Sequence, residues 1–424
     1  MSEARGTRTD AGLLTVDQAG ALVRAAVTEH CSAAKTALIP LRQAIGLVLA
    51  EPIQSDADCP PFDKSLVDGY ALRMADVTQL PAILEIIEEI TAGDVPSREV
   101  GEGHAVRIMT GAPLPRGTEA VVMVEETAIV SDEPARVRIQ AKRISAGQNI
   151  LRQARCYAAG QLLIDAGKRL HAADIGLLAE AGRSQVLVRP RPRVAILSTG
   201  NELVAVDEQP GPGQIRNSNG AMLEALVESA GGTPESLGVA RDNPADLEAA
   251  IRRGLDADIF LLSGGVSAGV LDLVPRTLQQ LGVRQIFHKI SLKPGKPLWF
   301  GCRTNANAPT LVFGLPGNPV SSLVCFELFV RPTIAQWMGL EFDPLCRTAA
   351  LSADFQHRGD RPTFFPGYLE THASGSVVRM LRWQGSADLR TCAEANCLVS
   401  FAAGDADYPA GASVSLILLR AGTA

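Results

Sequence analysis

Two lysines around a Pro-Gly turn are the residues of this chain best suited to holding an anion. Lys293 and Lys296 belong to the run KPGKP, and Lys289 lies four residues before the first of them. Ammonium groups that converge on a phosphate each contribute on the order of 1.5–3 kcal/mol through charge-assisted hydrogen bonds. From this run alone, ordinary solvated lysines of a surface turn are an equal alternative.

Glycine-rich turns before and after the lysines favour the anion site. Each turn follows an apolar run of the kind that forms a parallel strand buried on both faces, and ligands bind where such strands end. Backbone N–H groups of the turns, and a helix predicted to start at Pro319 with Asn318 as its cap, add positive potential. The predicted ligand-binding residues in these turns are Ser198, Thr199, Gly200, Ser263, Gly264, Gly265, Ser267, Pro316, Gly317, Asn318 and Pro319.

Three carboxylates follow predicted strand ends at the same edge of the sheet. They are Glu202, Asp242 and Asp272, and we predict that all three act in catalysis. Mg²⁺ takes oxygen ligands from one or two carboxylates together with phosphate and water, so Glu202 and Asp272 are the predicted metal ligands. Asp242 and Asp272 have a competing interpretation, because each also precedes a predicted helix that it could cap.

Composition limits the class of protein. The chain has 424 residues, which suggests roughly three domains. Its net charge of −6 gives no overall field for nucleic acid. The first residues do not resemble a signal peptide, and no apolar run approaches the roughly 20 residues of a membrane helix. The 8 cysteines include no C-x-x-C pair, which predicts reduced thiols in a cytoplasmic protein.

The periodicity of the chain predicts a multi-domain α/β and β protein. Strands and helices alternate over 188–340, which indicates a doubly wound α/β core with a parallel sheet. Short β-type runs over 53–150 predict a β domain inserted into a mixed, partly helical N-terminal domain, formed by 1–52 plus 151–187. A small β domain is predicted for 341–424. Predicted helices include 13–30 capped by Thr15, 41–50, and 319–338 with a break near Pro332.

Seven motifs together resemble one family, the MoeA-type molybdopterin molybdenumtransferases, whose core domain is shared with MogA-type adenylyltransferases. The resemblance runs from about residue 13 to the C-terminus, and the number, order and spacing of the motifs carry it. They are PPFDKSLVDGYA (60–71), RIMTGAP (107–113), STGNEL (198–203), GQIRNSN (213–219), SGGVS (263–267), KPGKP (293–297) and GLPGNPVS (314–321).

The resemblance implies an elongated homodimer with a MogA-like core and an active site built from two subunits. It implies insertion of molybdate into adenylylated molybdopterin, with release of AMP and a requirement for Mg²⁺. Asp68 and Thr110 match positions that line the half of the site contributed by the partner subunit, although Asp68-Gly69 alone is typical of a hairpin turn. A MogA-type adenylyltransferase and molybdoenzymes are the implied protein partners. Nucleic acid and membrane are not expected.

The sequence departs from the family pattern at two places. Where the family has glycine, glutamate and aspartate after residue 153, this chain has Ala154, Arg155 and Cys156. Where the family has a serine pair after Gly385-Ser386, this chain has Arg390-Thr391. Two alternatives to the transferase therefore remain: a non-catalytic pterin-binding or carrier protein on the same scaffold, and adenylyl transfer of the MogA type.

Overall fold

A computed structural model describes residues 12–31, 35–265, 273–304, 309–345, 347–373 and 375–419. The chain divides into two compact units. The core unit comprises Met1–Leu38, Gly46–Ala50 and Leu187–Ala424, and the β unit comprises Ile39–Ile45 and Glu51–Val186. The four domain ranges given above stay a prediction.

Most of the helices belong to the core unit. None in the described residues is long and apolar enough to cross a membrane. Helix α1 begins as expected, because Thr15 Oγ1 accepts from the Gln18 N–H and the Gln18 side chain accepts from the Thr15 N–H. The α-helices are α1 Val16–Cys31, α2 Ala172–Glu180, α3 Ser218–Ala230, α4 Pro244–Gly254, α5 Leu273–Gln280, α6 Pro319–Cys325, α7 Arg331–Trp337 and α8 Leu389–Glu394.

The predicted helix over 41–50 is wrong. Only Leu41–Gln43 is helical, as a single 3₁₀ turn, and Gly46 follows with a left-handed φ of 76°. Val48 and Leu49 are then buried in a short strand that pairs with Val188 and Arg189. Burial of two apolar side chains against a partner strand therefore outweighs the local helical spacing.

A six-stranded sheet forms the centre of the β unit. Its strand order is β8-β5-β7-β6-β10-β9, and it contains apolar runs of the predicted β domain at 82–87, 120–123 and 136–139. Strands β1 to β13 are Ala37–Pro40, Val48–Leu49, Ile53–Gln54, Lys64–Ser65, Gly69–Leu72, Ala82–Ile90, His104–Ile108, Ala120–Met123, Thr127–Asp132, Ala135–Ile139, Ile150–Leu151, Leu162–Ile164 and Gln185–Arg189.

A second six-stranded sheet, in the order β17-β14-β18-β21-β20-β19, forms the centre of the core unit. Four neighbouring strands are parallel, as predicted, but β20 runs antiparallel to both of its neighbours. The short connection between β19 and β20 explains the difference, since a parallel crossover needs a dozen or more residues. Strands β14 to β21 are Arg193–Thr199, Leu203–Val204, Ile215–Arg216, Thr233–Ala240, Ile259–Ser263, Arg284–His288, Trp299–Arg303 and Thr310–Leu315.

The last long helix of the core unit is interrupted. A π-helical segment, Phe326–Val330, separates α6 from α7. It ends two residues before Pro332, which lacks the N–H that would continue the α-helical ladder. The predicted break near Pro332 is therefore confirmed.

The C-terminal β segment is a closed barrel of the order β22-β25-β24-β26-β28. Buried aromatic side chains, among them Phe401, fill its interior together with aliphatic ones. Strands β22 to β28 are Arg347–Leu351, Phe355–His357, Thr363–His372, Gly375–Met380, Cys397–Phe401, Ala406–Tyr408 and Ser413–Leu418.

Candidate active site

Three parallel strands of the core sheet end side by side. Ser198 of β14 is in register with Ser263 of β18, and Ser263 is in register with Leu315 of β21. A cleft of about 1030 Å³ opens beyond these ends, where open α/β sheets bind their ligands. The predicted turn residues that line it are Thr199, Gly200, Ser263, Gly264, Gly265, Pro316, Gly317, Asn318 and Pro319.

Close packing at the strand ends explains why the turns contain glycine. Gly264 has a φ of 91°, and a Cβ there would stand 2.6 Å from the carbonyl oxygen of Thr199. A Cβ on Gly200 would stand 2.5 Å from a carboxylate oxygen of Glu202. Glycine permits the left-handed backbone at both positions, and at Gly264 it also permits the close approach to a backbone oxygen.

Two asparagines at the start of α3 connect the strand ends. The Asn217 Oδ1 accepts from the Gly220 N–H at 3.0 Å, which caps α3, and from Ser198 Oγ at 2.9 Å. The Asn219 Nδ2 donates to Ser263 Oγ at 2.8 Å and to the Gly317 carbonyl at 2.7 Å. Ser198 itself is buried and does not line the cleft. Both asparagines were missed as site residues, although the GQIRNSN motif contains them.

Three buried polar atoms on the cleft walls have no hydrogen-bond partner within the described part of the chain. They are Thr199 Oγ1, Asn219 Oδ1 and Trp383 Nε1, and all three residues line the cleft. Such an atom costs about 1–3 kcal/mol of desolvation that no hydrogen bond offsets. Buried polar groups without partners are uncommon in folded proteins, so their concentration around one cleft favours a ligand there.

The loop that joins β19 to β20 carries the predicted lysines. It is closed by backbone hydrogen bonds from Lys289 to Leu298 and from Ile290 to Lys296, at 2.9 and 3.0 Å. Lys293 and Lys296 line the cleft. Lys289 holds a left-handed φ of 69° and does not line it, so its predicted role in binding stays a prediction.

The loop is also tied to the barrel, which supplies a wall of the cleft that the sequence reasoning missed. The Lys293 N–H donates to the Pro362 carbonyl at 2.9 Å, and the Phe364 N–H donates to the Lys293 carbonyl. The Phe365 and Trp383 rings pack edge to face at 4.8 Å. The barrel residues that line the cleft are Arg361, Phe365, Trp383, Gly385 and Ser386. Strand periodicity predicts a β domain here but does not say which of its loops face the core sheet.

Helix α6 begins at Pro319 after Asn318, as predicted, but Ser386 replaces the expected capping contact. Asn318 occupies the cap position, but its side chain makes no capping hydrogen bond. Its Nδ2 donates instead to Ser386 Oγ at 2.8 Å, and the Val320 N–H donates to the Ser386 carbonyl. The predicted side-chain cap is therefore wrong, because the Ser386 carbonyl accepts from an N–H of the first turn in place of the Asn318 side chain.

Positive and negative side chains face the same cleft. Arg216 and Arg361 add to the two lysines, while Glu202 and Asp242 are exposed carboxylates on the lining. The alternative role of Asp242 as a helix cap is wrong, because Asn243 caps α4 by accepting from the Asp246 N–H at 2.9 Å. Asp272 and Ser267 lie outside the described residues.

Two carboxylates on one cleft suit Mg²⁺, which usually keeps several waters and takes its remaining oxygens from a substrate phosphate. The Glu202 carboxylate lies against Gly200, which directly follows strand β14. No group of three His, Cys, Asp or Glu side chains in the described residues is arranged to enclose a metal ion. The two exposed carboxylates on the lining match the one or two that Mg²⁺ usually takes from a protein.

Asp68 and Thr110 meet in the β unit. The Asp68 Oδ1 accepts from the Thr110 backbone N–H and from its Oγ1, both at 2.7 Å. These hydrogen bonds hold the pKa of Asp68 below its usual value, the backbone N–H having the largest effect. The alternative of a hairpin turn at Asp68-Gly69 is wrong, since β4 pairs with β11 and β5 pairs with β7 and β8.

Comparisons with known proteins cover nearly the whole chain. Residues 14–182 match the MoeA N-terminal region (domain I and II), 195–336 match the probable molybdopterin binding domain, and 348–419 match the MoeA C-terminal region (domain IV). A molybdopterin molybdenumtransferase of Nostoc sp. is 37% identical over 398 residues, which cover 91% of this chain and 89% of the relative. The Bacillus subtilis protein of the same name is 34% identical over 395 residues, covering 91% and 90%.

The chain belongs to the MoeA family. A solved MoeA structure from Pyrococcus horikoshii agrees, with a TM-score of 0.79 and 30% identity over 96% of this chain and 99% of that one. The predicted family, the multi-domain α/β and β fold class and the enzyme class are thereby confirmed. MoeA relatives with curated names are molybdopterin molybdenumtransferases, which places this family in molybdenum cofactor biosynthesis.

The first departure from the MoeA pattern lies in an exposed loop of the β unit, whereas the second, Arg390-Thr391, lies in α8 of the core unit. Ala154 holds a left-handed φ of 59° at the position where the family pattern has glycine, so the backbone keeps its shape without that residue. The Gln153 N–H beside it donates to the Asp63 carboxylate at 2.7 Å. Arg155 and Cys156 are both exposed. The substitutions thus change charge and chemistry rather than the path of the chain.

Proposed function

We propose that this protein is a molybdopterin molybdenumtransferase, which inserts molybdate into adenylylated molybdopterin and releases AMP. Full-length similarity to relatives of that name supports the proposal. The structural observation that carries it is the single cleft lined by four cationic side chains and two carboxylates, in a chain whose net charge is −6. Both substrates are anions, and only a local positive site can hold them against the charge of the whole protein.

The lysine loop and Arg361 bind the oxyanions in this proposal. Arg361 is half-buried and its guanidinium also contacts the Leu292 carbonyl at 3.4 Å, which orients it beside Lys293. A planar guanidinium offers two parallel N–H donors to an oxyanion, whereas a lysine offers one adaptable charge. Together they hold the phosphate link and the incoming molybdate in one place, so that positioning supplies much of the catalysis.

Glu202 and Asp242, with Asp272 as the further predicted ligand, are the residues that would hold Mg²⁺. When bound, the ion supplies positive charge at the phosphate link of the substrate. The two described carboxylates are exposed on the cleft and remain available to waters or to a metal. The strand-end position of Glu202 keeps its carboxylate close to the floor of the site.

A homodimer completes the site in this proposal, with Asp68 and Thr110 supplied by the partner subunit. The support is that a fixed carboxylate lies on the β unit and the cationic cleft on the core unit, together with the family resemblance. Mixing an Asp68→Ala chain with a Lys293→Ala chain, under conditions where subunits exchange, should restore some activity through heterodimers that contain one intact site. A monomer in light scattering, or no rescue after proven exchange, would contradict the homodimer.

We also propose a cytoplasmic location. The six described cysteines with defined side chains are free thiols, and four of them are buried. Reduced thiols are typical of compartments that contain glutathione and thioredoxin.

Molybdate-dependent release of AMP tests the function. The purified protein is incubated with adenylylated molybdopterin and Mg²⁺, with and without molybdate, and AMP is measured by chromatography. We expect AMP only when molybdate is present. AMP formation without molybdate, or none in either case, would contradict the proposal.

A carrier function on the same scaffold is the second candidate, and Arg155 and Cys156 favour it because they replace acidic residues of the family pattern. Such a carrier binds the adenylylated pterin in calorimetry but leaves it intact in the presence of molybdate and Mg²⁺. An adenylyltransferase of the MogA type would instead consume ATP and unmodified molybdopterin.

A further inference from the structure

Two cysteines of the β unit meet at a short antiparallel bridge. The Cys59 N–H donates to the Tyr157 carbonyl at 2.9 Å. The Cys59 carbonyl accepts from two N–H groups, that of Cys156 at 2.9 Å and that of Tyr157 at 3.4 Å. Two residues that oppose one residue in this way form a β-bulge. The bulge brings Cys156 beside Cys59 instead of one position along the ladder.

This backbone geometry is within reach of a disulfide. Cys59 is paired with Tyr157, and opposed residues of a hydrogen-bonded antiparallel pair have Cα atoms about 5.5 Å apart. Cys156 is the chain neighbour of that pair, and its N–H reaches the same Cys59 carbonyl at 2.9 Å, a close approach that suits the Cα separations of roughly 4.4–6.8 Å spanned by a disulfide. The charge of Cys156 is also among the causes that raise the pKa of Cys59, which agrees with this proximity.

The pair differs from the other cysteines whose side chains are described. Cys156 is exposed and Cys59 is half-buried, whereas the remaining four are buried: Cys302, Cys325, Cys392 and Cys397. The Cys59 thiol donates to the Glu180 carboxylate at 3.4 Å. Burial and this hydrogen bond raise the pKa of Cys59, so it stays a protonated thiol beside a proton acceptor. The more accessible Cys156 is then the thiol that an oxidant meets first.

We propose that Cys59 and Cys156 are a redox-active dithiol that a hydroperoxide converts into a disulfide. The Cys156 sulfur attacks the peroxide, whose O–O bond breaks, and becomes a sulfenic acid while water or an alcohol leaves. The Cys59 sulfur then attacks the Cys156 sulfur as the S–O bond breaks. Glu180 takes the Cys59 proton and passes it to the departing hydroxide, which leaves as water. Two electrons pass from the two sulfurs to the peroxide, and a dithiol reductant reverses the change.

The backbone around the bulge already holds the two cysteine segments close together. The Ala154 N–H donates to the Pro60 carbonyl at 3.1 Å and the Ser55 N–H donates to the Gln161 carbonyl at 2.9 Å, so backbone bonds on both sides already hold the two segments together. A disulfide at this point links residues that are neighbours in the folded chain and needs no large backbone movement. None of the residues assigned to the cleft takes part, so the inference does not depend on the proposed transferase activity.

Mass spectrometry of the oxidised full-length protein tests the proposal. The reduced protein is treated with hydrogen peroxide, its remaining thiols are alkylated, and it is digested with trypsin. We expect peptides 43–64 and 156–168 to appear joined, with a mass two hydrogen atoms below their sum. Dithiothreitol should restore both peptides. Cys59→Ser and Cys156→Ser should each abolish the joined species, whereas Cys302→Ser should retain it.

Several other results would contradict the proposed redox-active dithiol. A Cys156 peptide oxidised to sulfinic acid while Cys59 remains alkylatable would show that the two sulfurs do not meet. Pairing of either cysteine with a different one, or a covalent dimer on a non-reducing gel, would also overturn it. Glu180→Gln keeps a hydrogen-bond acceptor but removes the base, so it should slow formation of the joined peptide without slowing direct alkylation of Cys156. Equal rates of joining in Glu180→Gln and the parent would remove Glu180 from the step.

Discussion

The cleft of the core unit and the Asp68 site of the β unit differ in how their polar groups are satisfied. In the cleft, the Thr199 hydroxyl and the Asn219 Oδ1 are buried without partners in the described residues. In the β unit, the Asp68 carboxylate already accepts two hydrogen bonds from Thr110. The first arrangement keeps binding capacity for a ligand, and the second fixes the position and the charge of one group.

This difference has an energetic consequence. A buried hydroxyl without a partner lowers the stability of the ligand-free protein, and a ligand that supplies the missing bond recovers that cost on binding. Asp68 carries no such cost, because its hydrogen bonds are made before any ligand arrives. Substitutions in the cleft should therefore change the free energy of unfolding and the ligand affinity in different ways. Substitutions at Asp68 or Thr110 should instead change how stability depends on pH.

The largest effect is expected at the glycine turns. Gly264→Ala places a Cβ 2.6 Å from the Thr199 carbonyl on a left-handed backbone, which should lower the free energy of unfolding by about 2–5 kcal/mol. Gly317→Ala is the matched control, because the nearest atom to its Cβ, outside its chain neighbours, is 3.8 Å away. It should leave stability nearly unchanged. Urea denaturation measures both, and equal stability of the two variants would contradict the packing argument.

Much of this turn chemistry was predictable from sequence. An apolar run that ends in glycines predicts a buried strand and a ligand-binding turn, and the lining by Thr199, Gly264 and Gly317 agrees with that expectation. The barrel wall was not predictable in the same way. Trp383 and Arg361 are distant from the glycine turns in sequence, and their place in the cleft depends on long-range packing that no local period encodes.

The second prediction concerns affinity. Lys293→Ala and Lys296→Ala should each weaken binding of a nucleotide or pterin ligand by about tenfold to a hundredfold, since each removes a contact worth roughly 1.5–3 kcal/mol. Isothermal titration calorimetry provides the measurement. Lys35→Ala is the control, because Lys35 pairs with Asp258 and does not line the cleft. Unchanged affinity in both loop variants would exclude these lysines from the site.

The third prediction tests the unpartnered hydroxyl directly. Thr199→Val keeps the side-chain shape and removes Oγ1, so the free energy of unfolding should rise by about 1 kcal/mol while ligand affinity falls. Thr310→Val is the matched control. The Thr310 hydroxyl donates to the Leu255 carbonyl at 2.8 Å outside the cleft, so its loss should lower stability and leave affinity unchanged. Loss of stability in Thr199→Val would show that its hydroxyl has a partner in solution.

The family motif predicts a functional role for Asp68, but it does not predict how the carboxylate is held. Local chemistry favoured a hairpin turn, and the actual partner, Thr110, lies 42 residues away. A contact of this separation follows from the pairing of β5 with β7, which brings the ends of both strands together. The periodicity of a single sequence does not predict which distant strands pair.

The smallest effect is expected from the ionisation of Asp68. Its pKa in the folded state lies below the usual 3.8, so its contribution to stability is present above that value and is lost as the pH falls through the folded-state pKa. Asp68→Asn keeps the shape and an acceptor oxygen but cannot ionise. The difference in stability between parent and variant should therefore be constant near neutral pH and shrink only in acid, below about pH 4.

Urea denaturation of both proteins between about pH 3 and pH 7 measures this difference. Other carboxylates titrate in the same range, but they are common to parent and variant and cancel in the comparison. Thr110→Val offers a graded control, since it removes the Oγ1 donor at 2.7 Å and keeps the backbone N–H, which has the larger effect on the pKa. Its acid dependence should lie between those of the parent and Asp68→Asn. If Asp68→Asn has the same acid dependence as the parent, the Thr110 contacts do not hold the carboxylate in solution. The proposed difference between the hydrogen-bonded Asp68 site and the unpartnered polar atoms of the cleft would then be wrong for Asp68.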